Sequence, residues 1–577
     1  MTSRTVSDRI GRWCVALTVA AAVTGTACIV ATYARLSHSW DEPTHVAAGL
    51  EMLQKHRYSY QTENPPLSRL AIAIGPWLAG ARLPEGDRQI NESPYAAADA
   101  IFHDAPDYVQ RVTSARVGNL PWYWACIALT WTLAGGARRP RVAALAASAV
   151  ATMPPLVGHA GFATTDLPFV ASVLLVLVAL RAWLERPVAM RAAWLGAALG
   201  FSVATKFSTL PFVPPLVLAV MAAHHWDTRR SWHRTLMRAS TLRWIGIVAL
   251  AAAIAIWASY GFRVGRMADL PQSFPAYGNF PTSGLFATAS QWRIPAHEFF
   301  HGLAFLKVHA EAGHRSMLFG EFSQRGFLEY YPVVLAVKTP LPFLLLAAFG
   351  LWGAFVRGPG PRSRWFLGIA VGAAGLLAAA MTSPINIGAR HVLVLYPLLA
   401  LPIAAGWMRW SDASSRSGLI AAAGGALVVT QAVLLVASVP YQSAYFNVFA
   451  GRDPASIVSD SDFDWGQDGL ALEAYFKAHP VPSLYLQLQG TVNPCRLQLP
   501  PVSAMPVTPV AGWIAISERV YRLNRVGRAE PCALTPAPLS PPIGWLDWLR
   551  PLTPVATIGK TIRLYHVTEQ DLPRTRP

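Results

Sequence analysis

The chain reads as an all-α polytopic membrane protein, with about eleven transmembrane helices and a small α/β region after them. Three observations carry this. Of its 577 residues, 53% are hydrophobic and only 14% charged, against roughly 25% charged in soluble domains. The apolar residues gather into runs, many long enough to span a bilayer. The loops between the runs are basic on alternate sides, which is how multi-pass proteins set their orientation. The net charge of +17 is therefore a topology signal, and nothing in it suggests nucleic acid as a partner.

The first run, Trp13–Leu36, follows a polar start holding Arg4, Arg9 and Arg12. It exceeds the apolar core of a cleaved signal peptide, so an uncleaved signal-anchor helix is expected. Further spans are expected at about 115–135, 142–158, 164–184, 190–205, 208–223, 243–262, 330–356, 365–382, 391–408 and 417–438. With the N-terminus cytoplasmic, the inside loops run over Arg138–Arg141, Arg181–Arg191, Arg229–Arg243, Arg357–Arg364 and Arg409–Arg416, and every one is basic. The short pair 190–205 and 208–223 meets at Thr205-Lys206-Phe207-Ser208. Fused into one helix, it would turn every later basic loop outward.

The other side, periplasmic for a bacterial inner membrane, then receives 37–114, turns near 158–165 and Lys206, 263–329, 383–390 and 439–577. The chain divides into a membrane module, 1–439, and an extracytoplasmic α/β domain, 440–577. From Pro440 prolines become dense, and short β-like runs appear at Leu484–Leu488, Trp513–Ser517 and Lys560–His566, beside a helical Leu470–Ala478. Cys495 and Cys532 lie there and can pair in an oxidising compartment; Cys14, Cys28 and Cys126 lie in apolar segments.

The candidate chemistry starts in Trp40–Leu70, which holds Asp41, Glu42, His45, Glu51 and Glu63 although the chain has only 31 acidic residues. Carboxylates beside lipid are costly without a partner or a task. Asp41 and Glu42 can hold a base against a substrate hydroxyl, or Asp41 can cap the helix that Pro43 opens. Val46, Leu50 and Leu53 then share one face of a helix lying along the membrane. In Glu63-Asn64-Pro65-Pro66 the proline pair stiffens the return to the membrane and can aim Glu63; Leu67–Ala79 is apolar but short, an interfacial or re-entrant helix. Asp166 opens a span, as cap or as ligand, with His159 nearby. Lys206, Arg263 and Arg390 are cations against the positive-inside trend, suited to a lipid-linked phosphate or to snorkelling.

His297, His301, His309 and His314 with Glu298, Glu311 and Glu321 offer Zn²⁺ or Mn²⁺ ligands, in no HExxH-type spacing. Asp460-Ser461-Asp462-Phe463-Asp464-Trp465-Gly466-Gln467-Asp468 starts like a calcium loop, but Trp465 replaces its glycine and Ala471 its final glutamate. Capping of the next helix by Asp464 or Asp468 is the alternative.

Taken in order, these pieces resemble the GT-C glycosyltransferases, and more narrowly the protein O-mannosyltransferase and aminoarabinose-transferase (family 39-like) branch. The acidic pair and Pro-Pro motif are joined by His159 with Thr165-Asp166, Trp257–Arg263, Glu329-Tyr330-Tyr331-Pro332 with Lys338-Thr339-Pro340, Asn386–His391 and Asp464–Asp468. The resemblance implies a helical fold with a large outer cavity and an inverting transfer of a sugar from a polyprenyl-phosphate donor to an acceptor hydroxyl. The acceptor is a lipid, a glycan or a protein.

Carried onto this chain, Asp41 is the acidic residue near the acceptor, with Glu42 beside it. Glu63 matches an acid that binds a metal in some members, and a divalent ion (Zn, Mn or Mg) would take it with Asp166 or His314. Lys206, Arg263 and Arg390 would hold the departing phosphate. Asn64 departs from the His or Lys that the family places before Pro-Pro, and the C-terminal region has no β-trefoil signature. Two other classes remain: a transporter or flippase of lipid-linked sugar, which would place charges mid-membrane, and a non-catalytic scaffold.

Overall fold

The computed structural model describes residues 3–85, 94–102, 107–228, 239–274, 277–356, 364–523, 542 and 544–573. The expected loop cations Arg229, Arg230, Arg234, Arg238, Arg357 and Arg362, and the expected Cys495–Cys532 pairing through Cys532, fall outside the described residues.

The chain is mostly helical. Among the described residues five helices are long and apolar enough to cross a membrane, or seven if each of two bent pairs is one span. Every apolar run read from the sequence contains a helix, but two are broken. Pro140–Ala151 and Pro154–Ala160 bend by 59° at Thr152-Met153, where Pro154 and Pro155 supply no N–H. The bend exposes the Ala149 carbonyl, and Gln431 answers it, donating from Nε2 to Ala149 O at 2.7 Å and to Thr152 Oγ1 at 3.0 Å. Inside a bilayer such freed groups need a protein partner. The run 330–356, read as one span, turns by 109° between Tyr330–Lys338 and Leu341–Val356; Pro340 and Pro342 cannot continue the first helix's ladder. The helices Ala189–Thr205 and Thr209–Thr228 are separate, with Lys206 extended between them.

Glycines let helices touch backbone to backbone. A Cβ on Gly196 or Gly200 would stand 2.3 Å or 2.4 Å from the carbonyls of Val248 and Ala252 on the helix Ala239–Ser259. Small residues at such crossings are the membrane substitute for hydrophobic association.

The first loop forms two helices, Glu42–Lys55 and Pro66–Leu78, close to expectation. They do not simply lie along a surface: residues 42–51 are all buried. A hidden ion pair fixes their start. Arg116 and Glu42 are both essentially without solvent access. Arg116 Nε lies 2.8 Å from Glu42 Oε1 and Nη2 3.0 Å from Oε2. Its remaining N–H groups go to the carbonyls of Tyr33, Leu36 and Ser37. Glu42 in turn accepts from Ser39 N and Ala163 N. All five donors of the fork are used, the condition under which a buried pair is tolerated.

After the last apolar helix, five strands form one sheet, ordered 556–558, 562–567, 512–517, 484–487 and 502–504. The three expected strands and the helix, Gly469–Ala478, are present; Val502–Ala504 and Ala556–Ile558 were too short to read. The segment 459–468 leaves this region and runs back to the membrane helices. Ser37 N donates to Gln467 O and Trp40 N to Trp465 O, so the segment between the first helix, Ser3–Val30, and Glu42 is stitched to it.

Arg116→Ala leaves Glu42 buried and unpaired. We expect a loss of about 3–5 kcal/mol, read as a lower thermal midpoint of the detergent-solubilised protein, with Arg116→Lys falling between it and the wild type.

Candidate active site

Asp41 stands at the N-cap position of Glu42–Lys55, but its side chain makes no capping bond. It reaches instead to Arg390, whose Nη1 lies 2.5 Å from Asp41 Oδ2. Burial works to raise the Asp41 carboxyl; Arg390 outweighs it and holds the acid below its ordinary value. Asp41 is therefore ionised at neutral pH.

Arg390 is placed by the turn Asn386–His391. Gly388 has φ +80°, and a Cβ there would lie 2.5 Å from Asp462 Oδ2. Without that atom the turn settles onto Asp462, which accepts Ala389 N on both oxygens at 2.8 and 3.0 Å. Lys338 fixes the other side of the same segment, donating to the carbonyls of Ser443 and Asp462 at 2.6 and 2.7 Å. The Trp465 ring then lies 4.5 Å from the Arg390 guanidinium. Trp465 also meets His159 and Phe162 edge-on. Arg390 sits in the fields of three carboxylates, Asp41, Asp166 and Asp460.

Asp166 begins its helix, as expected. Its Oδ1 lies 2.6 Å from Lys206 Nζ, and its Oδ2 accepts Thr164 Oγ1 at 3.1 Å. His159 Nδ1 is 3.9 Å away, and neither of its buried ring nitrogens has a hydrogen-bond partner among the described residues. Lys206 owes its place to the break between its two helices, which turns it toward Asp166.

Glu63 belongs to the same neighbourhood. Burial pushes its carboxyl up to about 7, against the pull of Arg69, and it feels the charge of Asp41. Its buried Oε2 has no partner among the described residues. Arg69, fully buried, holds the loop behind it. It donates to His45 Nδ1, Tyr58 OH and the carbonyls of Tyr60 and Gln61. Tyr58 OH donates to the backbone carbonyl of Asn64, which closes the loop before Pro-Pro without using the Asn64 side chain. Thr62 meets His301 Nδ1 at 2.7 Å, tying this loop to the helix His297–Ala312.

Three expectations are corrected. Glu42 is not half of an acidic pair facing a substrate, because both its oxygens are taken by Arg116, Ser39 and Ala163. Arg263 is not among the cations of this site. It pairs with Glu298 at 3.0 Å and donates to His56 O at 2.6 Å. His56 ends the helix that Asp41 begins, about 20 Å away at 1.5 Å per residue. His314 lies 3.7 Å from Asp460, not beside Glu63. Among the described residues no three His, Cys, Asp or Glu side chains are arranged to hold a metal ion.

The acids of 460–468 do not converge as a calcium loop would, nor do they cap. Asp460 meets Arg519 at 2.9 Å, and Asp462 takes the Gly388 turn. Asp464 accepts Ser517 Oγ and Arg519 N, and Asp468 accepts Lys560 N and Thr561 N. Arg69, Arg116 and Trp465 were missed by sequence reading. Arg69 had a signal, a lone cation inside the apolar run Leu67–Ala79.

Asp464 gives a pH test. Burial pushes its carboxyl up from 3.8 to about 7, so the folded chain holds that proton more tightly than the unfolded one. Its contribution is complete below its ordinary value and is lost as pH rises through about 7. The stability advantage of wild type over Asp464→Asn, measured by thermal midpoint, should shrink from about pH 5 to about pH 8.5.

No family model matches the sequence, and no curated protein matches it. Among solved structures, the chain is similar to ArnT from Cupriavidus metallidurans bound to undecaprenyl phosphate. Identity is 14%, covering 97% of this chain and 99% of that one, at a TM-score of 0.49. It is also similar to the oligosaccharyltransferase AglB from Archaeoglobus fulgidus in complex with an inhibitory peptide and a dolichol-phosphate. There identity is 12%, covering 98% of this chain and 75% of that one, at a TM-score of 0.42. At these values the likeness carries no chemistry; the geometry of the site has to do so.

Proposed function

We propose that the chain transfers a sugar from a polyprenyl-phosphate donor to an acceptor hydroxyl at the extracytoplasmic membrane surface. The observation that carries this is the meeting of two carboxylate–cation pairs, Asp41 with Arg390 and Asp166 with Lys206, where apolar helices end. An ionised carboxylate stands there within 2.5 Å of an arginine, and a second cation lies beside the next acid. A hydroxyl nucleophile needs the first, and a phosphate leaving group needs the two cations.

In the reaction, Asp41 accepts the proton of the acceptor hydroxyl as its oxygen attacks the anomeric carbon. The bond from that carbon to the phosphate oxygen breaks on the opposite face, so configuration inverts. The phosphate leaves as a polyprenyl monophosphate, its growing charge met by Arg390 and Lys206. Phosphate leaves readily, and this assignment routes no step through a metal. Glu63, whose buried Oε2 has no hydrogen-bond partner among the described residues, is left as a candidate metal or substrate ligand beside Asp41.

The test is transfer by the purified chain in lipid, supplied with a polyprenyl-phosphate sugar and an acceptor extract. Asp41→Asn should lower the rate by about 10²–10⁴-fold, far more than any loss of folded protein that its thermal midpoint shows. Full transfer by that variant removes the base assignment. Lipid appearing in the other leaflet, with no sugar bound to an acceptor, supports the transporter reading instead.

A further inference from the structure

The helix Ala239–Ser259 stands at the edge of the bundle. Of the residues Leu242–Ser259 only 6% are fully buried; one face packs through Val248 and Ala252 on Gly196 and Gly200, and the rest, with Leu242, Ile245, Leu250 and Ile254 exposed, is left to lipid. It ends at Gly261 and Phe262, both with positive φ, and Phe262 folds back edge-on against Trp257 at 5.3 Å. The chain does not then turn polar. Phe262 is 56% exposed and Val264 43%. Val264 pairs with Pro295 in a two-stranded ladder, Val264–Gly265 against Ile294–Pro295, which brings Trp292 alongside. Trp292 is 60% exposed, and Leu285, on the short helix just before it, is 80% exposed. Two cations flank these residues, Arg293, which is exposed, and Arg266, which pairs with Asp269 at 3.1 Å.

Exposed apolar groups gathered in one place mark an interaction surface. We infer that Phe262, Val264, Leu285 and Trp292 dock on the lipid headgroup layer, as an interfacial surface continuous with the lipid-facing side of Ala239–Ser259. The occupant is the bilayer because the patch begins where a lipid-facing helix ends. Tryptophan with arginine is also the residue pair of the membrane–water boundary. Leucine and tryptophan enter the acyl boundary, and Arg293 meets lipid phosphate. The docked segment leads directly into the helix His297–Ala312, whose His301 holds Thr62, the neighbour of Glu63. The bilayer thereby braces the loop that lines the candidate active site.

The experiment labels one added cysteine with an environment-sensitive fluorophore, in Leu285→Cys, Trp292→Cys, or Val555→Cys as a control. Val555 is 55% exposed and lies beside the C-terminal sheet. The labelled full chain is placed in nanodiscs of phosphatidylethanolamine and phosphatidylglycerol, with and without spin-labelled lipid. Quenching by that lipid should be at least roughly twofold stronger at 285 and 292 than at 555, with thermal midpoints unchanged. Equal quenching at all three sites overturns the inference. So does shielding of 285 and 292 that appears only when a nanodisc carries two copies, which would assign the patch to a second copy of the chain.

Discussion

Arg116 and Glu42 are the constraint on which the site depends. An ion pair with no water around it is stable only if every donor and every lone pair has somewhere to go. Here the carbonyls of the segment after the first helix, the turn before Glu42 and the backbone at Ala163 all close on the pair. That closure joins three separate parts of the chain at one point. It sets where the helix Glu42–Lys55 begins, and Asp41 is the next residue back. Neighbouring acids therefore take opposite fates: Glu42 is spent on position, and Asp41 keeps its charge facing Arg390.

The same economy holds on the far side. Arg390 is delivered by a turn that fits only because residue 388 lacks a side chain, and the carboxylate beneath that turn, Asp462, is pinned through Lys338. Arg390 is thus held, through its turn, by a carboxylate more deeply buried than itself. Rigidity is what a site acting by electrostatics needs, since a dipole or charge already in place costs no reorganisation during reaction.

Much of this was legible in the sequence, and the reasons for what was not are physical. Apolar runs found the helices because burial in lipid is a composition effect. Pro340 and Pro342 were visible, yet the run around them was read as one span, because hydropathy sums over a kink. Asp41, Asp166, Lys206 and Arg390 stood out as charges beside apolar segments. Their pairing did not, since Asp41 and Arg390 are 349 residues apart and no local pattern links them. Arg263 stood out equally and belongs elsewhere, so position at a helix end does not decide which charges meet. Trp465 was quoted within a motif of acids, and its acids drew the eye. Its ring over Arg390 and its backbone bond to Trp40 are the larger contribution.

That bond between Trp40 and Trp465 has a consequence for biogenesis. Residue 40 leaves the ribosome more than 400 residues before its partner. During that interval all the later apolar helices are made, and Asp41 waits first for the turn that carries Arg390 and then for the tryptophan that lies against it. The surroundings of Asp41 are therefore completed only when the last quarter of the polypeptide arrives.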